Sequence, residues 1–221
     1  MTAEALPELV IFDCDGVLVD SERLTVEIES RVLTELGWEL TTTEVVQRFL
    51  GRSSAYMLQE VSNRLGVERA LEFDRVTTDE LSAAFRGRLR AIEGVDHLVR
   101  GLTATGIATC VASSGSHSKM ELTLGLTKLK ALFDGRIYSA AEVAHGKPAP
   151  DLFLYAAQSM GFAPQSCAVI EDSVFGVAAA IAAGMVCYGF AGGLTSAATL
   201  EGAGAKVFDT MEQLGSRLLP P

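Results

Sequence analysis

Short apolar runs recur along the chain and predict β-strands. They cover residues 9–12, 108–112, 136–139, 168–170, 186–190 and 206–208. The runs are nearly continuous in apolar character, which is typical of parallel strands that are buried on both faces. Helical patterns lie between the later runs, at about 94–104, 117–126, 150–161 and 174–183. This alternation of strand and helix predicts an α/β fold built on a parallel sheet.

The segment from 17 to 92 has a different pattern, because it lacks a comparable β run. Amphipathic helical periodicity fills it instead. The first predicted helix follows Asp20 and Ser21, a plausible N-cap, and ends near Gly37. Further helices are predicted at about 43–50, 54–65, 68–75 and 78–90. We therefore expect an all-helical insert after the first strand.

One uncharged stretch, from Val174 to Leu194, is long enough to cross a membrane. It is rich in Ala and Gly, and Gly184 divides it into a helical half and a strand-like half. A buried helix, a glycine cap and a strand explain this pattern better than a membrane span. We expect no membrane association.

Composition narrows the class of protein. The chain has 221 residues, of which 48% are apolar and 21% charged, so we expect a folded globular protein. A net charge of −10 argues against a nucleic-acid partner, which requires a basic surface. Four scattered cysteines and an N-terminal segment unlike a signal peptide predict a cytoplasmic protein with reduced thiols. They are Cys14, Cys110, Cys167 and Cys187. The oligomeric state is not predicted.

Polar residues follow three of the predicted strands. Asp13, Ser113 and Asp172 each come directly after an apolar run. In an open parallel sheet the carboxyl ends of the strands share one edge, and ligands bind there. We therefore expect these three residues to lie together despite their distance in sequence.

Asp13 and Asp15 are two carboxylates separated by one residue. Like charges this close repel each other and raise one pKa, and a divalent cation such as Mg²⁺ relieves the repulsion. Asp13 is then a candidate nucleophile and metal ligand, and Asp15 a candidate general acid and base. The alternative is a strand end at which an Asp merely caps a turn.

Three other groups could complete a phosphate site. Gly16, Ser113 and Ser114 could offer backbone and hydroxyl donors to an anion, although an ordinary loop and helix cap has the same composition. Lys147 could balance the negative charge, or it could be a solvated surface residue. Glu171 and Asp172 could ligate a metal, or they could simply favour the start of a helix.

In this order the motifs resemble the haloacid dehalogenase superfamily, and in particular its branch of phosphatases and β-phosphoglucomutase-like enzymes. The matching segments are 12–22, Ser113, 146–150 and 171–176. The resemblance implies a Rossmann-like core formed by 1–16 and 93–221 and a helical cap formed by 17–92.

The resemblance also implies the roles of individual residues. Mg²⁺ is expected to be held by Asp13, by the backbone carbonyl of Asp15 and by Asp172, with Glu171 nearby. Ser113 and Lys147 are expected to hold the phosphate. A cap segment that contains Gly51, Arg52 and Ser53 is expected to select the substrate. The predicted protein is a Mg²⁺-dependent phosphatase that acts on a small phosphorylated metabolite, a sugar or sugar-acid phosphate, through an aspartyl phosphate on Asp13.

Two alternatives remain. A phosphosugar mutase of the β-phosphoglucomutase type would carry a cap histidine, but the matching position here is Thr25 and all three histidines lie outside the cap. A non-catalytic phospho-ligand binding protein would not need both Asp13 and Asp15. Arg52 is also ambiguous, because it could bind a carboxylate or distal phosphate of the substrate or form a surface salt bridge.

Overall fold

A computed structural model describes residues 6–219, in which a parallel sheet carries helices on both faces. Its order is β3-β2-β1-β4-β5-β6, and every neighbouring pair is parallel. The predicted α/β class and the predicted strands are confirmed. Within the described residues the strands are β1 (Leu9–Phe12), β2 (Ala108–Ser113), β3 (Ile137–Ser139), β4 (Cys167–Glu171), β5 (Val186–Phe190) and β6 (Lys206–Phe208).

Helices fill the connections between the strands. After β1 the chain forms consecutive helices before it returns to the sheet, as the pattern of 17–92 predicts. These are α1 (Glu22–Glu35), α2 (Thr42–Phe49), α3 (Ser54–Leu65) and α4 (Val67–Arg88). The later helices are α5 (Val95–Ala104), α6 (His117–Leu126), α7 (Asp151–Met160), α8 (Val174–Ala182), α9 (Ala197–Gly202) and α10 (Met211–Leu218).

The helix predictions are wrong in two places. The sequence predicts separate helices at 68–75 and 78–90, but α4 runs through both. The β-branched residues near Thr77 cost a helix only a few tenths of a kcal/mol each. The Thr77 hydroxyl also donates to the carbonyl of Phe73 inside the helix, at 2.7 Å. The short helices α9 and α10 were not predicted.

Alternation along β1 divides the core into two layers. Val10 and Phe12 belong to the apolar cluster that includes residues of α5, α6 and α10, whereas Leu9 and Ile11 belong to the cluster on the opposite face, with α7 and α8. Because successive side chains of a strand point to opposite faces, a strand between two helical layers must be apolar at every position. This requirement explains the unbroken apolar runs.

The insert has an apolar cluster of its own. Its buried members extend from Val26 to Phe73. Among residues 6–219, Leu194 is the one partly buried contributor from outside the insert. The two connections to the sheet run side by side, because Val19 and Ala91 form an antiparallel bridge. The domain boundaries at 16/17 and 92/93 stay a prediction. Residues 1–5 and 220–221 of the predicted core lie outside the described residues.

The uncharged stretch from Val174 to Leu194 divides as the sequence predicts. Helix α8 ends at Ala182, Gly184 adopts φ +73°, and β5 begins at Val186. A residue without a Cβ suits this left-handed conformation. Among residues 6–219, no helix has the length and apolar character that a membrane crossing needs.

Burial of β1 can be tested by truncating one side chain. Ile11 is fully buried, so Ile11→Ala should lower the free energy of unfolding by about 2–5 kcal/mol. The matched control is Ile181→Ala on the outer face of α8, where the side chain is 48% exposed and the loss should stay below about 1 kcal/mol. Urea unfolding followed by circular dichroism measures both, and equal losses would contradict the assignment of the core.

Candidate active site

The functional groups meet where the order of the sheet reverses. β1 lies between β2 and β4, and all three strands point the same way. Asp13 follows β1, Ser113 ends β2, and Asp172 follows β4. The crevice beyond these carboxyl ends is the usual ligand site of an open parallel sheet. Parallel pairing therefore brings together residues that lie far apart in sequence.

Lys147 connects two of the acids. Its Nζ donates to Oδ1 of Asp13 at 2.7 Å and to Oε1 of Glu171 at 2.6 Å, and its side chain is only 1% exposed. Burial alone would lower the pKa of Lys147, but the charges of Asp13 and Glu171 outweigh it and raise that pKa above its usual range. The ammonium is thus a fixed positive charge within the acidic crevice, not a solvated surface group.

Asp13, Glu171 and Asp172 form a compact buried acidic cluster. One carboxylate oxygen from each lies within 4.8 Å of the others. Burial, with Glu171 and Asp15, raises the pKa of Asp13 to about 7 against the opposing effect of Lys147. Burial also raises the pKa of Asp172, whose carboxylate pairs with the Glu22 carboxyl and receives no hydrogen bond from an amide, ammonium or alcohol group of the described residues.

This arrangement fits a divalent cation. Buried carboxylate oxygens without donors are costly unless something positive satisfies them. A donor set made only of oxygen matches the preference of Mg²⁺. The predicted ligands Asp13, Glu171 and Asp172 thus have the placement that the Mg²⁺ prediction requires.

Asp15 has partners that sequence reasoning missed. Lys119 Nζ donates to its Oδ2 at 2.8 Å, and the Ser21 hydroxyl donates to its Oδ1 at 2.5 Å. Burial would raise the pKa of Asp15, but these two donors outweigh it and lower that pKa. Ser21 stands at the N-terminus of α1 as predicted, yet its side chain binds Asp15 instead of capping the helix.

Gly16 has a steric role that differs from the expected one. Its N–H donates to the carbonyl of Val19 at 2.9 Å, so the tight turn uses this group internally and it is not free for an anion. A Cβ at this position, where φ is +77°, would lie 2.1 Å from Asp172 Oδ2 and 2.7 Å from Glu22 Cδ. Glycine therefore lets the two acids approach the turn. Whether Gly16 contacts phosphate stays a prediction.

The loop after β2 lies against the same crevice. The Ser113 hydroxyl accepts from the N–H of Gly115 at 3.2 Å. The Ser114 hydroxyl donates to the carbonyl of Gly51 at 2.9 Å, so it links this loop to the helical insert. Both serines border the cavity that contains Asp13, and their predicted binding of phosphate stays untested.

The predicted specificity segment contacts the sheet edge. A Cβ on Gly51, where φ is +80°, would lie 2.1 Å from the Ser173 hydroxyl oxygen, so only glycine permits this approach. The Arg52 guanidinium stacks between the rings of Tyr56 and Phe175, 4.1 and 3.9 Å from their centroids. Ser53 caps α3 through its hydroxyl.

Arg52 therefore has a different environment from a surface salt bridge. No carboxylate within the described residues pairs with it, and its Nε is buried without a hydrogen-bond partner. The two rings hold the planar guanidinium by cation–π contacts. Arg52 also borders the cavity in which a substrate would lie.

A cavity of about 690 Å³, which includes the solvent at its mouth, lies between the insert and the sheet edge. Helix α1 supplies Glu22, Thr25, Val26 and Glu29 to its wall. Sequence reasoning left Glu22 unassigned and missed Glu29. The spacing offered a signal, because residues three, four and seven apart share one face of a helix. The spacing did not predict that this face of α1 borders the cavity.

The positions of the histidines argue against the mutase alternative. Thr25 does line the cavity, as its alignment with a mutase histidine predicts. None of the described residues that line the cavity is a histidine. His117 pairs with Glu142 and His145 with Asp151, both on the exposed surface. A positioned imidazole base is therefore missing from the described cavity wall.

The sheet topology and the acidic crevice define the class of this protein as an α/β protein with a candidate ligand site at the carboxyl edge of its sheet. The profile of the haloacid dehalogenase-like hydrolase family matches residues 10–190. The chain belongs to this family, as the motifs predict.

Relatives narrow the class of reaction. The chain is similar to 6-phosphogluconate phosphatase of Escherichia coli strain K12, with 34% identity over 83% of this chain and 82% of the relative. It is also 29% identical to a phosphorylated carbohydrates phosphatase of Thermotoga maritima, over 94% of this chain and 96% of the relative. A crystal structure of a haloacid dehalogenase family hydrolase from Deinococcus radiodurans, with bound phosphate and sodium, matches with a TM-score of 0.76. That match has 34% identity and covers 99% of this chain and all of the other.

The comparisons confirm the predicted class of enzyme, a phosphoric monoester hydrolase of this family. They therefore argue against the alternative of a non-catalytic binding protein.

The charge balance of the crevice can be tested through Lys147. Lys147→Met should lower the free energy of unfolding by about 3–5 kcal/mol in EDTA, because it leaves Asp13 and Glu171 buried without their cation. The matched control is Lys130→Met, which removes an exposed pair with Glu121 and should leave the urea midpoint nearly unchanged. A midpoint for Lys147→Met equal to that of the wild type would show that the acids do not need this charge.

Proposed function

We propose that this chain is a Mg²⁺-dependent phosphatase that hydrolyses a small phosphorylated metabolite, a sugar or sugar-acid phosphate, through an aspartyl phosphate on Asp13. One observation carries the proposal. The Lys147 ammonium binds both Asp13 and Glu171 beside Asp172, whose carboxylate has another acid, Glu22, as its partner and no ion pair with a cation among the described residues. The crevice thus combines a nucleophile, a fixed cation and a carboxylate set that suits a metal.

The proposed metal ligands are Asp13, the backbone carbonyl of Asp15, and Asp172, with Glu171 nearby. When bound there, Mg²⁺ supplies positive charge to the phosphoryl oxygens. Glu171 also accepts from the backbone N–H of Asp172 and of Ser173, both at 3.0 Å. These bonds fix the turn after β4 and hence the direction of the Asp172 side chain.

Asp13 is the proposed nucleophile. Its Oδ1 accepts from Lys147, whereas its Oδ2 receives no hydrogen bond from the described residues and keeps its electron pairs for attack. An Asp13 oxygen would bond to phosphorus while the bond from phosphorus to the leaving oxygen breaks. Water would then attack phosphorus, the bond to Asp13 would break, and inorganic phosphate would leave. Lys147 and the loop around Ser113 would hold the phosphoryl oxygens.

Asp15 is the proposed general acid and base. It protonates the leaving oxygen in the first step and takes a proton from water in the second. Lys119 and Ser21 stabilise its carboxylate form, which suits the second step directly. For the first step these bonds must loosen when the leaving group binds, because a free carboxylate has no proton to donate.

The helical insert is the proposed cap. We assign it residues 17–92, with 1–16 and 93–221 as the core. The apolar cluster from Val26 to Phe73 supports a separate helical unit, whereas Phe85, Leu89 and residues 17–19 pack in the cluster of the sheet. Closure of a cap over the crevice excludes bulk water and positions the leaving group. Gly51, Arg52 and Ser53 would then contact the part of the substrate beyond the phosphate. The four cysteines are unpaired and buried, which supports the proposed cytoplasmic location.

The substrate class rests on the relatives and on Arg52. The relatives act on 6-phosphogluconate and on phosphorylated carbohydrates. Arg52 brings a half-buried positive charge to the cavity wall, and a carboxylate of a sugar acid is a suitable bidentate partner for it.

Metal removal and Asp13→Asn test the proposed reaction together. A panel of phosphorylated metabolites should release inorganic phosphate in Mg²⁺, and EDTA should abolish that release until Mg²⁺ is restored. Asp13→Asn should reduce turnover by at least about 10³-fold, because an amide is a poor nucleophile, and should leave the circular dichroism spectrum unchanged. Full activity in EDTA or in the variant would refute the proposed mechanism.

Arg52→Ala tests the substrate class. KM for 6-phosphogluconate should rise by at least about 10-fold, since a charge-assisted bidentate contact is lost, while KM for glucose 6-phosphate should change little. Arg48→Ala, on the exposed surface of α2, is the matched control and should leave both values unchanged. An equal rise in KM for both substrates would show that Arg52 supports the structure of the cap and does not bind the carboxylate of the substrate.

A further inference from the structure

Glu29 is a charged residue of the cavity wall that the proposed chemistry does not use. It lies on α1 one turn beyond Thr25 and two turns beyond Glu22, and all three border the cavity. Its side chain is half-buried, and no hydrogen bond or ion pair connects it to another of the described residues. The other glutamate near it on the helix, Glu27, points outward and lies 3.8 Å from Arg88.

The surroundings of Glu29 do not satisfy a carboxyl group. Val26, Val45 and Met57 border the same cavity, and burial raises the pKa of Glu29 to about 7. Lys119 acts in the opposite direction, but its ammonium already donates to Asp15. A carboxylate on a cavity wall that no described residue pairs with keeps its acceptor oxygens available to a ligand that supplies donors.

We propose that Glu29 binds hydroxyl groups of the leaving group, so that the enzyme prefers phosphate esters of polyhydroxylated carbon chains. This inference rests on the proposed phosphatase function, since it concerns the same cavity. Glu29 is then a specificity-determining residue that contacts the part of the substrate beyond the phosphate.

The charges around the cavity select hydroxyl groups over ionic ones at this wall. A substrate anion beside Glu29 would be repelled by it and by the carboxylate of Asp15, which borders the same space. A substrate cation would meet Lys119 and Arg52. A hydroxyl carries no net charge and donates to a carboxylate, in a hydrogen bond that is stronger than one between neutral groups.

A matched pair of substrates isolates this contact. Sorbitol 6-phosphate and hexyl phosphate have the same carbon chain length, with and without hydroxyl groups. For the wild type in Mg²⁺, kcat/KM should be higher for sorbitol 6-phosphate. Glu29→Ala should lower that value at least about 10-fold and change kcat/KM for hexyl phosphate less than about 3-fold, since a site that hydrogen-bonds a substrate loses selectivity when the partner is removed.

Two further variants control for structural effects. Glu29→Gln keeps the size of the side chain and one acceptor, so it should give a smaller loss that is again confined to sorbitol 6-phosphate. Glu27→Ala, on the solvent side of α1 where the side chain is 67% exposed, should leave both substrates unchanged.

The outcomes separate this inference from the proposed function. An equal fall for both substrates, an unchanged ratio in both Glu29 variants, or a wild type that prefers hexyl phosphate would overturn the role of Glu29 and leave the phosphatase proposal standing. A wild type that hydrolyses neither ester nor any other phosphate monoester would refute the proposed function, and the role of Glu29 would fall with it.

Discussion

The ammonium of Lys147, held between Asp13 and Glu171, is the interaction on which the crevice depends. Three carboxylates within 4.8 Å of one another at a buried sheet edge repel each other, and burial makes each charge more costly. One fixed cation offsets part of that repulsion but not all of it, because Asp172 has another acid, Glu22, as its partner and no ammonium of its own among the described residues. The remaining negative charge would favour the further cation that we propose for this crevice.

A second ion pair organises the other half of the crevice. Lys119 holds Asp15 much as Lys147 holds Asp13, so each aspartate of the pair has its own ammonium. The two environments differ in their effect. Burial raises the pKa of Asp13, whereas Lys119 and Ser21 lower that of Asp15. Two carboxylates separated by one residue thus acquire different proton affinities. The order is opposite to the one that the proposed roles need, because the nucleophile Asp13 has the raised pKa and the acid Asp15 the lowered one. A cation held by Asp13 would favour its carboxylate form and so lower its pKa.

Contacts between the insert and the sheet edge form the boundary of the cavity. Gly51 meets Ser114 and the turn after β4, and Arg52 stacks on Phe175 of α8. The residues that would contact the leaving group therefore pack on the same loops that carry the acidic residues of the crevice. The same structural elements therefore border both the end of the cavity proposed for the phosphate and the end proposed for the rest of the substrate.

Much of this could be predicted from the sequence. The unbroken apolar runs predict the strands because a sheet covered on both faces requires them, and the residues after β1, β2 and β4 identify the crevice because parallel strands end at one edge. Helix α4 could not be delimited, because β-branched residues weaken a helix without ending it. The partnership of Lys119 with Asp15 also had no local signal, since the two lie 104 positions apart.

The sequence by itself determined the class of fold, the order of the motifs and the residue types that carry the chemistry, because hydrophobic periodicity and short-range spacing are local properties. Only the tertiary structure decided which face of α1 borders the cavity, that Ser114 bonds the insert, and that Arg52 stacks between two rings. These contacts join elements that pack against each other across the fold. Their geometry depends on how the helices of the insert pack against the sheet, and local sequence patterns do not predict this packing.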